Sequence, residues 1–173
     1  MKKLPIALLL VAALAATGCN RRDRFADGAG VPAAPAPVTN PGAGSAADPS
    51  SPAYFQQTIG DRVLFLVDQY TLTPEGRAVL DGQARWLQAN ADYRAVIEGH
   101  ADEQGTREYN LALGSRRANA VREYLVSQGV PSSRLQTVTY GKERPLEVCS
   151  AESCYAQNRR AVTVIAAGSG LTG

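Results

Sequence analysis

The sequence predicts an α+β domain of two layers, in which helices pack on one face of a mixed four-stranded sheet. Two segments with helical periodicity alternate with four short apolar or alternating segments, in the order β-α-β-α-β-β. Of the 173 residues, 45% are hydrophobic and 20% are charged, as is typical of a folded domain. Beyond the apolar N-terminus, nearly all large apolar side chains follow Tyr54, which predicts a domain over residues 54–168.

The first half of this domain has clear boundaries. Residues 62–67 form a short apolar run, which predicts a buried strand. Thr73 as N-cap and Pro74 in the first turn predict a helix that ends near Asn90. The apolar segment 95–98 predicts the next strand.

The second half begins with a polar loop over residues 99–105. Thr106 is suited to cap a second helix, which runs to about Gln128 and has an apolar stripe on one face. Residues 135–140 and 160–166 alternate between apolar and polar side chains, which predicts the last two strands.

The N-terminus has the layout of a secretory signal, with Lys2 and Lys3 before an uncharged apolar stretch. The sequence Ala16-Thr-Gly-Cys19 resembles a bacterial lipobox, which implies that Cys19 carries S-diacylglycerol and, after cleavage, an N-acyl chain. An ordinary signal peptide with an incidental Cys is the alternative. In enteric bacteria an Asp after the lipidated Cys retains lipoproteins in the inner membrane, so with Asn20 at this position the resemblance implies sorting to the outer membrane.

The sequence therefore divides into four parts. Residues 1–18 are expected to be a lipoprotein signal peptide, residues 19–53 a lipidated Cys with a disordered tether, residues 54–168 the folded domain and residues 169–173 a tail. The tether is rich in Ala, Pro, Gly and Ser and cannot bury enough apolar surface to fold. A coil of ~33 residues spans roughly 30 Å, and on the order of 100 Å when stretched.

Charge excludes one class of partner. Lys2 and Lys3 lie in the segment expected to be removed, so 16 of the 18 basic residues remain against 16 acidic ones. A nearly neutral chain does not capture nucleic acid through its overall charge. Any charged ligand must then be held by a few well-placed residues.

The densest polar cluster covers residues 99–110, where a strand leads into a helix. Asn110, Leu113 and Arg117 share one face of that helix, because they are three, four and seven residues apart. If this face passes beneath the loop, Asp102 and Arg117 line one pocket with opposite charges. Such a pocket suits a zwitterion, whose carboxylate pairs with the Arg and whose ammonium pairs with the Asp. A salt bridge that only ties the loop to the helix is the alternative.

Four motifs, in order, carry a family resemblance. They are Glu98-Gly-His-Ala-Asp-Glu-Gln-Gly-Thr106, Asn110-Leu-Ala-Leu-Gly-Ser-Arg-Arg-Ala118, Tyr140-Gly-Lys-Glu-Arg-Pro145 and Asn158-Arg-Arg160. Together they resemble the OmpA-like peptidoglycan-binding domain over about residues 60–166. The resemblance implies an OmpA-like β-α-β-α-β-β sandwich that binds the peptide stem of the cell wall without covalent bonds.

The resemblance also assigns site residues. It implies that Asp102 and Arg117 hold the distal amino-acid end of meso-diaminopimelate in the stem peptide. Further contacts carry over to Asp68 and Leu113, and Asn110 is expected to order the junction of loop and helix.

The lipoproteins of this family imply partners and a role. They imply an outer-membrane lipoprotein that tethers the membrane to peptidoglycan, with the periplasmic protein TolB and other Tol proteins as partners in envelope integrity and cell division. The chain departs from the family pattern at Ala101, Gln104 and Thr71. These departures leave open an interaction lipoprotein that kept the fold and lost wall binding.

Catalysis and cofactors are not expected. Asp102 and Glu103 are adjacent, and adjacent carboxylates rarely point into one cleft as a hydrolase pair does. His100 is the only histidine, and no further ligands at suitable spacing predict a metal site. Apart from the lipid on Cys19, no bound group is implied.

Cys149 and Cys154 lie five residues apart between the last two predicted strands. Export to an oxidising compartment favours a disulfide that closes this short loop. Two free thiols are the alternative.

Overall fold

A mixed sheet of four strands forms one layer of the domain. The computed structural model describes residues 44–167. The strands are β1 (Arg62–Leu64), β2 (Tyr93–His100), β3 (Leu135–Gly141) and β4 (Arg160–Ala167). They lie in the order β1-β4-β2-β3, with β2 and β3 parallel and the other two pairs antiparallel. The predicted α+β class and the mixed sheet are confirmed.

The helices include two that the sequence predicts and two that it does not. They are α1 (Pro52–Tyr54, continued by π-helical turns over Phe55–Gly60), α2 (Pro74–Ala89), α3 (Arg107–Ser127) and α4 (Glu152–Asn158), with a 3-10 turn at Ser132–Arg134. The unpredicted α1 precedes the first strand, and the unpredicted α4 lies between the last two. Among residues 44–167, no helix has the length and apolar character needed to cross a membrane.

The two predicted helices begin as expected. Thr73 Oγ1 accepts a hydrogen bond from the backbone N–H of Gly76 at 3.1 Å, at the start of α2. Thr106 Oγ1 accepts from the N–H of Tyr109 at 3.2 Å, at the start of α3. These side chains satisfy N–H groups that have no partner within the helix. Helix α3 ends before Gly129, whose φ of 96° favours glycine.

Strand β1 is shorter than predicted, and β2 is longer. The apolar run 62–67 pairs as a strand only to Leu64, because the chain then turns away from the sheet. The turn includes Asp68, which has a φ of 56°. Strand β2 begins at Tyr93 and extends to His100, which the sequence assigned to the loop. The polar loop therefore starts at Ala101.

The core lies between the sheet and the helices α2 and α3. Alternate residues of β2 point into it, and Ala95 and Ile97 are fully buried. The apolar stripes of the two helices pack on them. The largest buried apolar side chains of the core include Phe55, Leu80, Leu87, Val121 and Leu125.

The packed part of the chain begins before Tyr54. Trp86 of α2 packs edge-on against Phe55 and donates its indole N–H to the carbonyl of Pro49 at 2.7 Å. Ser51 is buried and caps α1. The end of the predicted tether is therefore packed against the domain at Pro49 and Ser51. The remaining tether with Cys19, the signal peptide and the tail lie outside the described residues.

Two glycines set the spacing between α3 and the sheet. A Cβ added at Gly99 of β2 would lie 1.9 Å from the carbonyl oxygen of Gly114 in α3. A Cβ at Gly114 would lie 2.4 Å from Thr139 Oγ1 and 2.8 Å from the Gly99 oxygen. The helix backbone therefore rests directly on the end of β2, which brings the polar face of α3 beside the loop after β2.

We expect Gly114→Ala to destabilise the domain. An Ala in a helix ordinarily gains about 0.5–1 kcal/mol over Gly, but here the clash with the sheet backbone reverses the sign and lowers the free energy of unfolding by about 2 kcal/mol. Urea unfolding measures this. The matched control is Gly82→Ala in α2, whose Cβ would meet only the end of the Ile59 side chain at 3.1 Å. An equal effect of both substitutions would contradict the close approach.

Candidate functional site

A cavity of about 240 Å³ lies where the loop after β2, the turn after β1 and the first turns of α3 meet. Its lining residues are Val67, Asp68, Asp102, Gln104, Gly105, Tyr109, Asn110 and Leu113. A larger groove of about 490 Å³ lies beside Trp86, but its lining includes one charged side chain, Arg85. The smaller cavity carries two carboxylates, so it is the candidate site.

Four of the five predicted binding residues line this cavity: Asp68, Asp102, Asn110 and Leu113. The fifth, Arg117, does not line it. Its side chain is fully buried behind the two loops that form the cavity. The predicted pocket, lined by both Asp102 and Arg117, is therefore replaced by an acidic cavity with a cation behind it.

Asp102 is 8% exposed, and both of its oxygens have partners. Oδ1 accepts a hydrogen bond from the N–H of Gln104 at 3.2 Å. Oδ2 accepts from Nη1 of Arg159 at 3.1 Å. The salt-bridge alternative paired Asp102 with Arg117. In the structure, the ion pair of Asp102 is made with Arg159 instead. The sequence predicted no role for Arg159, although this residue lies in the motif Asn158-Arg-Arg160.

The guanidinium of Arg117 joins both loops to α3. It donates to the carbonyls of Gln69 and His100 at 2.8 Å each and to the carbonyl of Leu66 at 3.3 Å. A guanidinium has five N–H donors, so the two terminal nitrogens each keep a further N–H. This arrangement explains why the chain leaves the sheet after β1, since the carbonyls of the turn bond to α3.

The charge of Arg117 persists at neutral pH. Burial lowers the pKa of Arg117 to about 10, because the buried side chain loses solvation of its charge, and the nearby Asp102 carboxylate partly offsets this. Asp68 acts in the same direction as Asp102. The cation behind the cavity is therefore balanced by the two carboxylates that line it.

Arg117→Lys is expected to lower the free energy of unfolding by about 2–3 kcal/mol. A Lys keeps the charge but cannot satisfy three carbonyls that lie in different directions, so buried acceptors lose their partners. Chemical denaturation measures the effect. Arg116→Lys is the matched control, because Arg116 is exposed and its guanidinium lies 5.5 Å from the centre of the Tyr70 ring. Equal stability of the two variants would refute the structural role of Arg117.

The remaining predicted residues lie at the junction of loop and helix. Asn110 is buried and its Nδ2 donates to the carbonyl of Gln104 at 2.7 Å, which holds the loop onto α3. Leu113 is buried one turn further along and gives the cavity an apolar wall. Asp68 is exposed and accepts a hydrogen bond from the hydroxyl of Tyr109. Tyr109 had no predicted role, because its partner is 41 residues away in the chain.

His100 is buried beside the site, at 2% exposure. Its backbone carbonyl accepts from Arg117, while both ring nitrogens are buried and neither has a side chain as hydrogen-bond partner among residues 44–167. Burial lowers the pKa of His100 to about 4, and the cations Arg160 and Arg144 add to this effect. The Glu98 carboxylate lies 3.6 Å from Nε2 but is partly exposed. The imidazole is therefore neutral at physiological pH.

The fold should lose stability in acid through His100. Its pKa lies near 6.5 in the unfolded chain and near 4 in the folded protein, so the unfolded state binds more protons between these values. The free energy of unfolding therefore falls as the pH decreases from about 6.5 to about 4, by at most about 3 kcal/mol. As this is the only histidine, NMR titration of its imidazole gives the pKa directly.

His100→Gln is the control for that prediction, because it removes the imidazole titration and leaves the carboxylates. The pH dependence of unfolding between pH 7 and 4 should be flatter in the variant than in the wild-type protein. An imidazole that titrates at or above 6.5 would contradict the prediction.

A disulfide joins Cys149 and Cys154, with their Cα atoms 5.9 Å apart. The bridge closes the loop that leads into α4. Among residues 44–167, no three His, Cys, Asp or Glu side chains are grouped in a way that could hold a metal ion.

The sequence and the structure both resemble known proteins. The model of the OmpA family matches residues 64–159. The peptidoglycan-associated lipoprotein of Rhizobium meliloti strain 1021 is 49% identical over 162 residues, which cover 93% of this chain and 87% of that protein. The protein of the same name from Pseudomonas aeruginosa is 43% identical and covers 89% of this chain and 92% of its own.

Solved structures of related proteins have the same fold as this chain. The crystal structure of the peptidoglycan-associated lipoprotein from Burkholderia pseudomallei aligns with a TM-score of 0.62 and 39% identity, over 69% of this chain and 97% of that one. The C-terminal domain of Helicobacter pylori MotB aligns with a TM-score of 0.58 over 61% of this chain and 84% of that one. At 18% identity, it shows a shared fold alone. This chain belongs to the OmpA family and, within it, to the peptidoglycan-associated lipoproteins.

Proposed function

We propose that this protein is an outer-membrane lipoprotein that binds the zwitterionic end of meso-diaminopimelate in the stem peptide of peptidoglycan and so tethers the membrane to the wall. The observation that carries the proposal is the cavity lined by Asp68 and Asp102, with Leu113 as its apolar wall and Arg117 behind it. The relatives bear the name peptidoglycan-associated lipoprotein, which supports the same class of ligand.

The ammonium of the ligand would bind between the two carboxylates. Each Asp oxygen can accept more than one hydrogen bond, so Asp102 keeps acceptor capacity beside its bonds to Gln104 and Arg159. Asp68 is exposed and lines the same cavity. The methylene chain of diaminopimelate would then lie on Leu113.

The carboxylate of the ligand would be drawn towards Arg117. That guanidinium is fully buried, and two of its N–H donors remain after its three bonds to carbonyls. A direct pair with the ligand requires a shift of the turn from Leu66 to Gln69, which covers the guanidinium. Without that shift, the cation attracts the carboxylate through the loop at a distance.

The anchor and the domain together would form a tether. Acyl chains on Cys19 hold one end in the membrane, since two or more chains give stable anchoring where one does not. The tether lets the domain reach the wall on the periplasmic side. Because the membrane anchor and the wall-binding domain are linked, their overall affinity exceeds that of either interaction alone. The proposal involves binding without catalysis.

Tol proteins are proposed as further partners on the basis of the family resemblance. TolB in the periplasm would compete with the wall for a surface that overlaps the cavity. Through these contacts the lipoprotein would contribute to envelope integrity and cell division.

Asp102→Asn should weaken binding of a stem peptide that ends in meso-diaminopimelate by roughly 10- to 100-fold, because a charge-assisted hydrogen bond to the ammonium is lost. Calorimetry with the soluble domain and sedimentation with purified peptidoglycan both measure this. Asp68→Asn should cause a smaller loss. It leaves the fold intact, because the side chain is exposed and Asn tolerates the positive φ.

Asp92→Asn is the control, since it removes an exposed carboxylate in the turn between α2 and β2, away from the cavity. Acetylation of the distal amine of the peptide should reduce binding to wild type as strongly as Asp102→Asn does. If both Asp variants bind like the control, the site assignment is wrong.

The second candidate is an interaction lipoprotein that kept the fold and lost wall binding. One observation favours it: the guanidinium of Arg117 is fully buried and engaged with backbone carbonyls. This candidate would be favoured if the wild-type protein did not sediment with peptidoglycan although its cooperative unfolding showed that it was folded.

A further inference from the structure

The segment between β3 and β4 folds back onto the loop after β2. Ser150 Oγ and the hydroxyl of Tyr155 both donate to Oε1 of Glu103, at 3.2 and 3.0 Å. Lys142 Nζ donates to the carbonyl of Gly105 at 2.7 Å. The loop that carries Asp102 is therefore held from outside by residues more than 30 positions away in the chain.

Arg159 connects this segment to the site. It is 4% exposed, and its Nη1 donates to Asp102 Oδ2 while its Nη2 donates to the carboxylate of Glu152. Its Nε donates to the carbonyl of Phe65 at 3.3 Å. One buried guanidinium is thus shared by a carboxylate of the cavity and a carboxylate of α4.

Sharing the guanidinium affects how far Arg159 offsets the negative electrostatic potential of Asp102 in the cavity. Glu152 takes part of the hydrogen-bonding capacity of Arg159, so this cation neutralises Asp102 less than it would alone. If Glu152 were absent, Asp102 would be the only carboxylate paired with Arg159. The cavity would then attract an ammonium group less strongly.

The disulfide holds Glu152 in place. Glu152 lies inside the loop closed by Cys149 and Cys154, at the start of α4. This helix has only seven residues, and its N-cap residue Ala151 supplies no capping side chain. A helix this short is not stable by itself, so the covalent bridge adds to the hydrogen bonds of Ser150 and Tyr155 in keeping the Glu152 carboxylate on Arg159.

We propose that the disulfide-closed loop, through Glu152 and Arg159, positions the carboxylate of Asp102 and sets how strongly the cavity binds an ammonium group. Glu152 and Arg159 are positioning residues in this proposal and do not touch the ligand. The inference rests on the proposed function, which it deepens by identifying what tunes the site.

The test compares Glu152→Gln and the double variant Cys149→Ser/Cys154→Ser with wild type. Calorimetry measures the dissociation constant of a stem peptide ending in meso-diaminopimelate, and of the same peptide acetylated at the distal amine. We expect both variants to bind the free-amine peptide roughly two- to fivefold more weakly and the acetylated peptide unchanged. General loosening of the fold would weaken the binding of both peptides to the same extent, and this result would overturn the proposal.

Glu147→Gln is the matched control. It removes one carboxylate from the same segment, and Glu147 contacts Asn158 through its backbone. Its affinity for both peptides should equal that of wild type. If Glu152→Gln and the double Cys variant bind like this control, the positioning role is refuted, while the proposed function stands.

Hydrogen exchange of the free protein gives a readout that needs no ligand. The backbone amide of Gln104, which donates to Asp102 Oδ1, should exchange several times faster in both variants than in Glu147→Gln, because Arg159 without Glu152 pairs more fully with Asp102 and competes with this amide for the carboxylate. If wild type binds neither peptide, the proposed function fails. Unchanged exchange at the Gln104 amide in both variants would separately refute the positioning of Asp102.

Discussion

The buried guanidinium of Arg117 is the interaction on which the site depends. Three backbone carbonyls, from the turn after β1 and from the end of β2, accept its hydrogen bonds. Both loops that line the cavity are therefore fixed to α3 by one side chain. The guanidinium reaches them because Gly99 and Gly114 let the helix backbone rest on the sheet. A larger side chain at either glycine would move the helix and the cation away from the loops.

The charges around the cavity form a balanced set. Arg117 and Arg159 are both buried and lie beside Asp102, while Asp68 adds a second carboxylate at the solvent side. A buried cation without such partners would be costly, so Asp102, whose ion pair with Arg159 is buried, would both bind a ligand and stabilise the fold. This double role explains why the sequence left open whether Asp102 is a structural partner or a ligand contact.

Local signals in the sequence were sufficient for much of the fold. The caps Thr73 and Thr106, the helical stripes and the alternating strands predicted the main elements correctly, because each depends on residues within a few positions. The sequence missed α4, because this seven-residue helix has no side-chain N-cap and little apolar periodicity. It also extended β1 too far. The apolar run continues to residue 67, while the departure from the sheet is caused by Arg117, about 50 positions away.

By itself, the sequence determined the α+β class, the helix starts, the family motifs and the grouping of Asp102, Asn110 and Leu113 near one loop and one helix face. Only the tertiary structure decided the partners of the charged groups: it paired Asp102 with Arg159 and turned Arg117 towards backbone carbonyls. The physical reason is distance along the chain. Helical spacing and capping are local, whereas a buried ion pair joins whichever charges the packing of distant elements brings together, here 57 residues apart.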